Sequence, residues 1–255
     1  MSVKVSIITV VYNGVKEIEK TILNILDQGY PNIEYIVMDG GSHDGTTDII
    51  EKYKDRIAHY ISEKDSGIYD AMNKATKLVS GDWVNFMHCG DTFYSNNTVQ
   101  EIFEKDTSRF DIIYGDYVAD YLKNGRRLIK ATFPQAPHQM VLSHQSVFAR
   151  TSSLHLFPFD TTLTISADLK FCEQCWHHGL KFHYFPQVIS IRSCAGLSDL
   201  NRLQAFKETE AVLQLFYNPE QIKKRMQRIK LMHHVKYGVK KIMPSFLQRL
   251  FRKNI

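Results

Sequence analysis

The chain has 255 residues, 44% hydrophobic and 23% charged, which fits one large soluble domain or two small ones and excludes a disordered, collagen-like or disulfide-built protein. Its net charge of +5 is unevenly placed: residues 219–255 hold eleven Lys/Arg against the single acid Glu220, a local +10, so the other 218 residues carry −5. An acidic body with a basic tail points to a partner of opposite charge. The four cysteines form no regular framework; Cys172 and Cys175 make one C-x-x-C, but a zinc ribbon needs a second pair, so they read as reduced core thiols. The N-terminus lacks the features of a signal peptide, and no run approaches the ~18 apolar residues of a membrane span. The expectation is a protein of the reducing cytoplasm.

The first ninety residues alternate between two periodicities. Residues 3–11 are β-branched and apolar, a strand buried on both faces; residues 15–26 carry Ile18, Ile22, Ile25 and Leu26 on one helical stripe. A second buried strand is predicted at 33–38, a helix at 44–53 with Asp44 as N-cap, and a third strand at 57–61. Ile68, Met72, Ala75 and Val79 have helical spacing, and 83–87 is a fourth strand. Alternation with short connections implies a parallel sheet covered on both faces. Eight of the thirteen glycines fall here, mostly just after strands, at the edge where open α/β sheets bind ligands. Beyond this, 111–114 and 127–133 read as strands, 167–178 as a helix, and 182–191 as a strand broken by Pro186. A helix over 199–217 leads into the tail.

Four acidic positions follow predicted strands: Asp39 in M-D-G-G-S-H-D-G-T, Asp65 in E-K-D-S-G-I-Y-D-A-M-N-K, Asp91 in H-C-G-D-T and Asp168 in S-A-D. Each alone is an ordinary turn residue. Three at the ends of successive parallel strands would converge on one crevice, where carboxylates repel unless a cation or hydrogen-bond donors compensate. Such a crevice suits a nucleotide whose ribose and base donate to carboxylates and whose diphosphate is bridged by a divalent metal.

With V-S-I-I-T-V-V-Y-N-G at 5–14, V-M-D-G-G-S-H-D-G-T at 37–46, D-S-G-I-Y-D-A-M-N-K-A at 65–75, G-D-W-V-N-F-M-H-C-G-D at 81–91, H-Q-S-V-F-A-R at 144–150 and I-S-A-D at 165–168, the chain resembles an inverting glycosyltransferase of family 2. The resemblance covers roughly residues 3–200 and implies a GT-A type fold, an α/β architecture with a mostly parallel twisted sheet. It implies a catalytic domain over 1–217, with a nucleotide-sugar half (1–115) and an acceptor half (116–217), followed by a basic amphipathic tail (218–255). Thr9, Tyr12 and Asn13 lie where the family cradles the base, and Asp39 resembles the residue on base or ribose, the Gly40–Gly41 turn letting backbone approach. Asp65, with Gly67 to Asn73, resembles part of the nucleotide and sugar pocket. Asp91 matches the last acid of the metal motif that holds Mn2+ or Mg2+ on the diphosphate, and Asp168 falls at the general base. Gly90, placed with the nucleotide-sugar contacts, replaces a second Asp of many relatives, so metal binding rests on one carboxylate plus diphosphate and water. His144 and Gln145 resemble a pair facing acceptor or sugar; His88 sits where Asn is common. Gly196 and Ser198 resemble a late loop over the diphosphate, without a His as a third metal ligand. Asp70 reads as a helix cap or as the partner of Lys74, and Trp83, Phe86 and Phe148 as core.

The implied activity is transfer of a hexosyl or N-acetylhexosaminyl group from a nucleoside diphosphate, UDP being the one expected, to a carbohydrate or lipid-linked acceptor in bacterial surface polysaccharide synthesis. In the tail, Ile222, Met226, Ile229, Met232, Val235, Val239, Ile242 and Met243 recur at helical spacing between basic residues, and Pro244 should end that helix. It reads either as a helix packed on the body or as an anchor on the anionic inner face of the cytoplasmic membrane. No recognition module for nucleic acid is present. Two rivals stand beside the enzyme: a non-catalytic nucleotide-sugar-binding partner of another transferase, and a nucleotidyltransferase, which needs a Gly-rich basic loop where Val15-Lys16-Glu17 stand.

Overall fold

The computed structural model describes residues 2–121, 125–132, 142–194, 201–223 and 226. One sheet of nine strands runs β3-β2-β1-β4-β8-β6-β9-β5, with β7 paired to β6. The strands are β1 (Val5–Val11), β2 (Ile33–Asp39), β3 (His59–Ser62), β4 (Trp83–Phe86), β5 (Thr92–Phe93), β6 (Ile112–Asp120), β7 (Arg126–Ile129), β8 (Val147–Arg150) and β9 (Phe182–Ser193). The helices are α1 (Ile18–Leu26), α2 (Thr46–Glu51), α3 (Ile68–Thr76), α4 (Thr98–Phe103), α5 (Thr151–Leu156), α6 (Ala167–His177) and α7 (Arg202–Gln214).

The first four sheet neighbours, β3-β2-β1-β4, are parallel, as the alternating pattern requires. Side chains of β1 and β2 leave on both faces, so both need cover. Ile8, Val10, Ile36 and Met38 pack with Met72 and Ala75 of α3 and Phe171 of α6. Their sequence neighbours Ile7, Val11, Tyr35 and Val37 pack with Ile18, Ile22 and Ile25 of α1 and with Ile102 of α4. Each buried aliphatic side chain contributes roughly 1.5–3 kcal/mol. Trp83, Phe86 and Phe148 are core, as expected.

Direction changes at β4: β8 pairs with it antiparallel, β6 runs antiparallel to β8, and β9 parallel to β6. β6 continues across the 115/116 division of the two expected halves. The expectation that Pro186 breaks the last strand is corrected: β9 runs through it because a bulge absorbs the residue. Gly115 pairs with Phe185 and Asp116 with Val188, leaving Pro186 and Gln187 outside the ladder. A Cβ on Gly115 would meet the Gln187 carbonyl oxygen at 2.8 Å, so glycine permits that approach. Asp44 is also corrected by one position. Gly45, at φ +97°, is the N-cap of α2, while the Asp44 carboxylate accepts the N–H groups of Val15 and Thr46. Asp70 pairs with Lys74 at 3.3 Å, as one of its two readings has it; it does not cap α3, whose N-cap is Gly67, but accepts the Ser66 N–H at 3.0 Å. Of the tail, Ile222 and Met226 are buried beside Leu213 of α7. The stripe from Ile229 onward, and the Gly196 and Ser198 loop, lie outside the described residues. No described helix is long and apolar enough to cross a membrane.

Candidate functional site

The carboxyl ends of β1, β2 and β4 and the turn after β3 are laced together. Gly40 donates its N–H to Val11, Glu63 to Asp39 and Cys89 to Val10. The Asp39 carboxylate is 1% exposed and takes the N–H groups of Gly41 (3.2 Å) and Ser42 (2.9 Å), the Ser62 hydroxyl (2.6 Å) and the Ser42 hydroxyl. It fixes the 39–42 turn from inside. Asn13, at φ +51°, donates its N–H to Ser42 Oγ and accepts that of His43. These bonds present Tyr12, 61% exposed, edge-on to His43. At Gly40 a Cβ would lie 2.6 Å from Asp65 Oδ2. The absent methyl lets Asp65 rest against the 39–41 turn and Tyr12, its other oxygen accepting the Gly67 N–H at 2.9 Å. Gly67 has φ +119° with open space around it. Tyr12, Asn13, Gly40, Asp65 and Gly67 therefore form one rim, with the Asp39 carboxylate set beneath it.

Two residues expected at the nucleotide have their polar groups taken up within the protein. Thr9 is fully buried, its hydroxyl donating to the Met87 carbonyl and accepting from Tyr35. Asn73 spends both ends of its amide on the Phe159 backbone, tying α3 to the loop before α6.

The second cluster follows β4. Thr21 of α1 pins the Gly90–Asp91 turn, accepting the Gly90 N–H at 3.0 Å and donating to the Asp91 carbonyl at 2.9 Å; Gly90 itself has φ +93°. Asp91 Oδ2 accepts from Gln145 Nε2 at 2.6 Å, and Oδ1 from the Ser193 N–H at the end of β9 at 2.8 Å. Ser143 donates to Gln145 Oε1, which orients that amide. The next residue, His144, places Nδ1 3.1 Å from Asp168 Oδ2. Asp168 Oδ1 takes the Leu169 N–H at 2.8 Å and the Tyr69 hydroxyl at 3.2 Å. Two acids 77 positions apart in sequence are thus joined through consecutive side chains of the one-turn helix His144–Ser146.

Electrostatics separate these acids. Burial pushes the Asp91 carboxyl up, and its hydrogen bonds from Ser193 and Gln145 and the nearby His144 and Arg192 only partly offset that. Burial also acts on Asp168, but the His144 contact, the Leu169 N–H and Tyr69 outweigh it, so its carboxyl lies below the usual range and is ionised at neutral pH. Burial, and His144 beside it, hold His88 well below the ordinary imidazole value, so it is neutral. The rings of His88 and His144 lie 4.8 Å apart, and Nε2 of each is buried without a hydrogen-bond partner. A cavity of about 80 Å³ lies against the Asp168–His144 pair, walled by Val84, Phe86, Leu142 and Phe159.

A divalent cation fits this donor set in one way. Each Asp91 oxygen accepts a single hydrogen bond and keeps a lone pair. Among the described residues no three His, Cys, Asp or Glu side chains converge. The protein offers one hard carboxylate, which suits Mn2+ or Mg2+ when phosphate and water complete the shell.

An α/β sheet with acids gathered beyond its parallel strands has them at the edge where open sheets of this class bind ligands. The chain belongs to glycosyl transferase family 2, whose profile matches residues 6–162. It is 29% identical over 179 residues to an uncharacterized glycosyltransferase of Mycobacterium tuberculosis, covering 66% of this chain and 66% of that relative, just under two thirds of its length. It is 36% identical over 101 residues to TuaG, a putative teichuronic acid biosynthesis glycosyltransferase of Bacillus subtilis, covering 38% of this chain and 40% of TuaG. Among solved structures, TarS of S. aureus in complex with UDP-GlcNAc superposes with a TM-score of 0.67 at 16% identity, over 96% of this chain and 77% of that one. The mannosyltransferase PcManGT of Pyrobaculum calidifontis, with GDP-Man and Mn2+, gives 0.67 at 14% identity, over 100% and 80%. The fold is accordingly of the GT-A type.

Tyr69, Thr21, Ser193, Ser42 and Ser62 escape sequence reasoning, since each acts by meeting a residue far along the chain. Ser42 alone leaves a local signal, following Asp39 by three as an Asx-turn residue does.

Proposed function

We propose that this chain is an inverting glycosyltransferase that moves a hexosyl or N-acetylhexosaminyl group from a nucleoside diphosphate, UDP in the first place, to a carbohydrate or lipid-linked acceptor in bacterial surface polysaccharide synthesis. One observation carries the reading: the continuous Asp91–Gln145–His144–Asp168 link, which sets a buried carboxylate for the diphosphate and an ionised one for the acceptor at a fixed separation. The rim of Tyr12, Asn13, Gly40, Asp65 and Gly67, with Asp39 beneath it, is assigned to base, ribose and sugar, with Gly90 beside the diphosphate.

In the reaction the acceptor oxygen bonds to the anomeric carbon as the bond from that carbon to the diphosphate oxygen breaks, inverting the configuration. Asp168 takes the hydroxyl proton as its nucleophilicity is needed, a contribution of roughly 10²–10⁴-fold. Its low proton affinity keeps it available as a base, and His144 and Tyr69 hold its oxygens in place. A divalent cation on Asp91 would neutralise charge developing on the leaving diphosphate. Support comes from TarS and PcManGT, whose complexes hold UDP-GlcNAc and GDP-Man with Mn2+ respectively on the same fold.

The test is a nucleotide-sugar screen for Mn2+-dependent thermal stabilisation, followed by transfer assays on Asp168→Asn. Transfer should fall by at least about 100-fold while UDP affinity is kept. Near-normal turnover in the variant refutes the base assignment. Donor binding without transfer by wild type favours the non-catalytic partner instead. The basic tail is assigned to an anionic membrane surface, where each Lys or Arg contributes about 1 kcal/mol. Liposome flotation of the full chain against a truncation after Tyr217 checks this, and equal binding sinks it.

A further inference from the structure

Glu208 is buried in the middle of α7, 6% exposed, and among the described residues has no Lys or Arg as a hydrogen-bond partner. Its carboxylate instead collects three consecutive backbone N–H groups: Thr164 (3.1 and 3.2 Å), Ile165 (2.8 Å) and Ser166 (3.0 Å). The Thr164 hydroxyl adds a bond at 2.6 Å and Gln204 Nε2 one at 3.0 Å. Successive N–H groups turned toward one point form an anion-binding concavity, here filled by the chain's own side chain. The turn so held is the entry to α6, whose N-cap Ser166 makes no side-chain cap bond of its own. Asp168 stands in the first turn of that helix. Both backbone groups of Ile165 are held, its N–H by Glu208 and its carbonyl by the Tyr69 hydroxyl at 2.7 Å, and the same hydroxyl lies 3.2 Å from Asp168 Oδ1.

We infer that Glu208 is a positioning residue for Asp168, acting through the 164–166 turn; the inference rests on the transferase reading of that site. Burying a charge costs free energy that an apolar helix contact would avoid. What the charge gives in return is a backbone path fixed at three successive peptides, directly upstream of the proposed base. The hydrogen bonds hold Glu208 ionised, its carboxyl at about 2 although burial pushes it up. Glu208 lies beyond residues 6–162, the span of the family profile, so this part of the machinery belongs to the C-terminal helix.

The experiment compares wild type, Glu208→Gln and, as a control, Tyr217→Phe, which removes a different bond to α6, the one from Tyr217 to Glu173. Because misplacing a reacting group by about 1 Å can cost on the order of 100-fold, E208Q should lower kcat roughly 10- to 100-fold with donor KM and UDP affinity nearly unchanged. Y217F should lower Tm with kcat retained. A kcat for E208Q within about two-fold of wild type overturns the inference, as does an equal kcat loss in Y217F. Should E208Q not fold, Thr164→Val deletes only the hydroxyl bond; a kcat drop of about two- to ten-fold at constant KM supports the role and no drop overturns it. Absence of transfer in wild type refutes the transferase reading. Amide exchange then decides for Glu208: faster exchange at 164–166 in T164V supports the clamp, and unchanged exchange overturns it.

Discussion

Adding one methyl at Gly40 separates ligand binding from folding. The new Cβ would sit 2.6 Å from Asp65 Oδ2, 3.3 Å from Asp65 Cγ and 3.4 Å from Tyr12 Cδ2. An ordinary contact needs roughly 0.8 Å more than the first of these, and the Asp65 carboxylate, the end of a flexible side chain, is what yields. Its bond to the Gly67 N–H at 2.9 Å is lost or bent. A carboxylate moved this far from a nucleotide partner forfeits a charged hydrogen bond of about 1.5–3 kcal/mol, or about 10- to 150-fold in UDP affinity. The fold has little reason to object, because Gly40 is not among the positive-φ residues. Gly81→Ala is the counterpart: its Cβ would meet the Ser6 nitrogen at 2.8 Å and the Lys4 oxygen at 2.9 Å, both backbone. Overpacking there costs about 1–3 kcal/mol, lowering Tm by about 2–4 °C per kcal/mol. Calorimetric titration with UDP and thermal scans of both variants form the assay. If Gly40→Ala binds UDP as wild type does, Asp65 is not a nucleotide contact; if it melts like Gly81→Ala, the rim is part of the folding core instead.

Asp91→Ala should abolish the Mn2+-dependent part of UDP stabilisation in a thermal-shift assay, and should itself lower Tm, since Gln145 Nε2 and the Ser193 N–H lose their acceptor. Glu34 gives a pH signature: burial pushes its carboxyl up, but bonds from Ser6, Ser80 and Lys4 prevail and leave it at about 2, against an ordinary 4.5. A depressed carboxyl contributes stability above its unfolded value and loses it as pH falls through the folded one, so about 3 kcal/mol should fade between about pH 5 and 2. Glu34→Gln should flatten that part of a Tm-against-pH curve, and an unchanged slope would show that other acids set it.

The parts of the fold legible in sequence are those whose burial is local in pattern. β1 and β2 are buried along nearly their whole length and read as unbroken apolar runs, and α1 and α3 show their stripes. β5, of two residues, carries too few positions for any period to register, and β8, α4 and α5, at four and six residues, fall outside the strand–helix alternation that makes the equally short β3, β4 and α2 legible. Pro186 misleads because a bulge depends on Gly115 of another strand, invisible from 182–191 alone. At the candidate site, Asp39, Asp65 and Asp91 are visible in the sequence as acids at or after strand ends, whereas Asp168 stands in the first turn of α6. Whether a polar group faces ligand or interior is not visible there: Thr9 stands at the same strand end as Tyr12, yet Tyr35 and Met87 consume its hydroxyl. Gln145, expected to face substrate, turns to Asp91 because Ser143 orients its amide.

Strand direction explains why the two acids can communicate at all. In a purely parallel sheet every strand contributes its end to the ligand edge, and strand beginnings lie at the opposite edge. Here β8 pairs antiparallel with β4, Asn85 opposite Phe148 and Trp83 opposite Arg150. Continuing that register, the start of β8 lies beside the end of β4, and the His144–Ser146 turn arrives next to the His88–Asp91 loop. Asn85 secures the approach by donating to the carbonyls of Gln145 and Val147 at 3.1 and 2.9 Å. The reversal thus brings side chains from before a strand to the edge where the others end. With them come the amide that holds Asp91 and the imidazole that meets Asp168. Parallel strands alone gather acids at one edge; the antiparallel neighbour adds the amide and the imidazole that link Asp91 to Asp168 of α6.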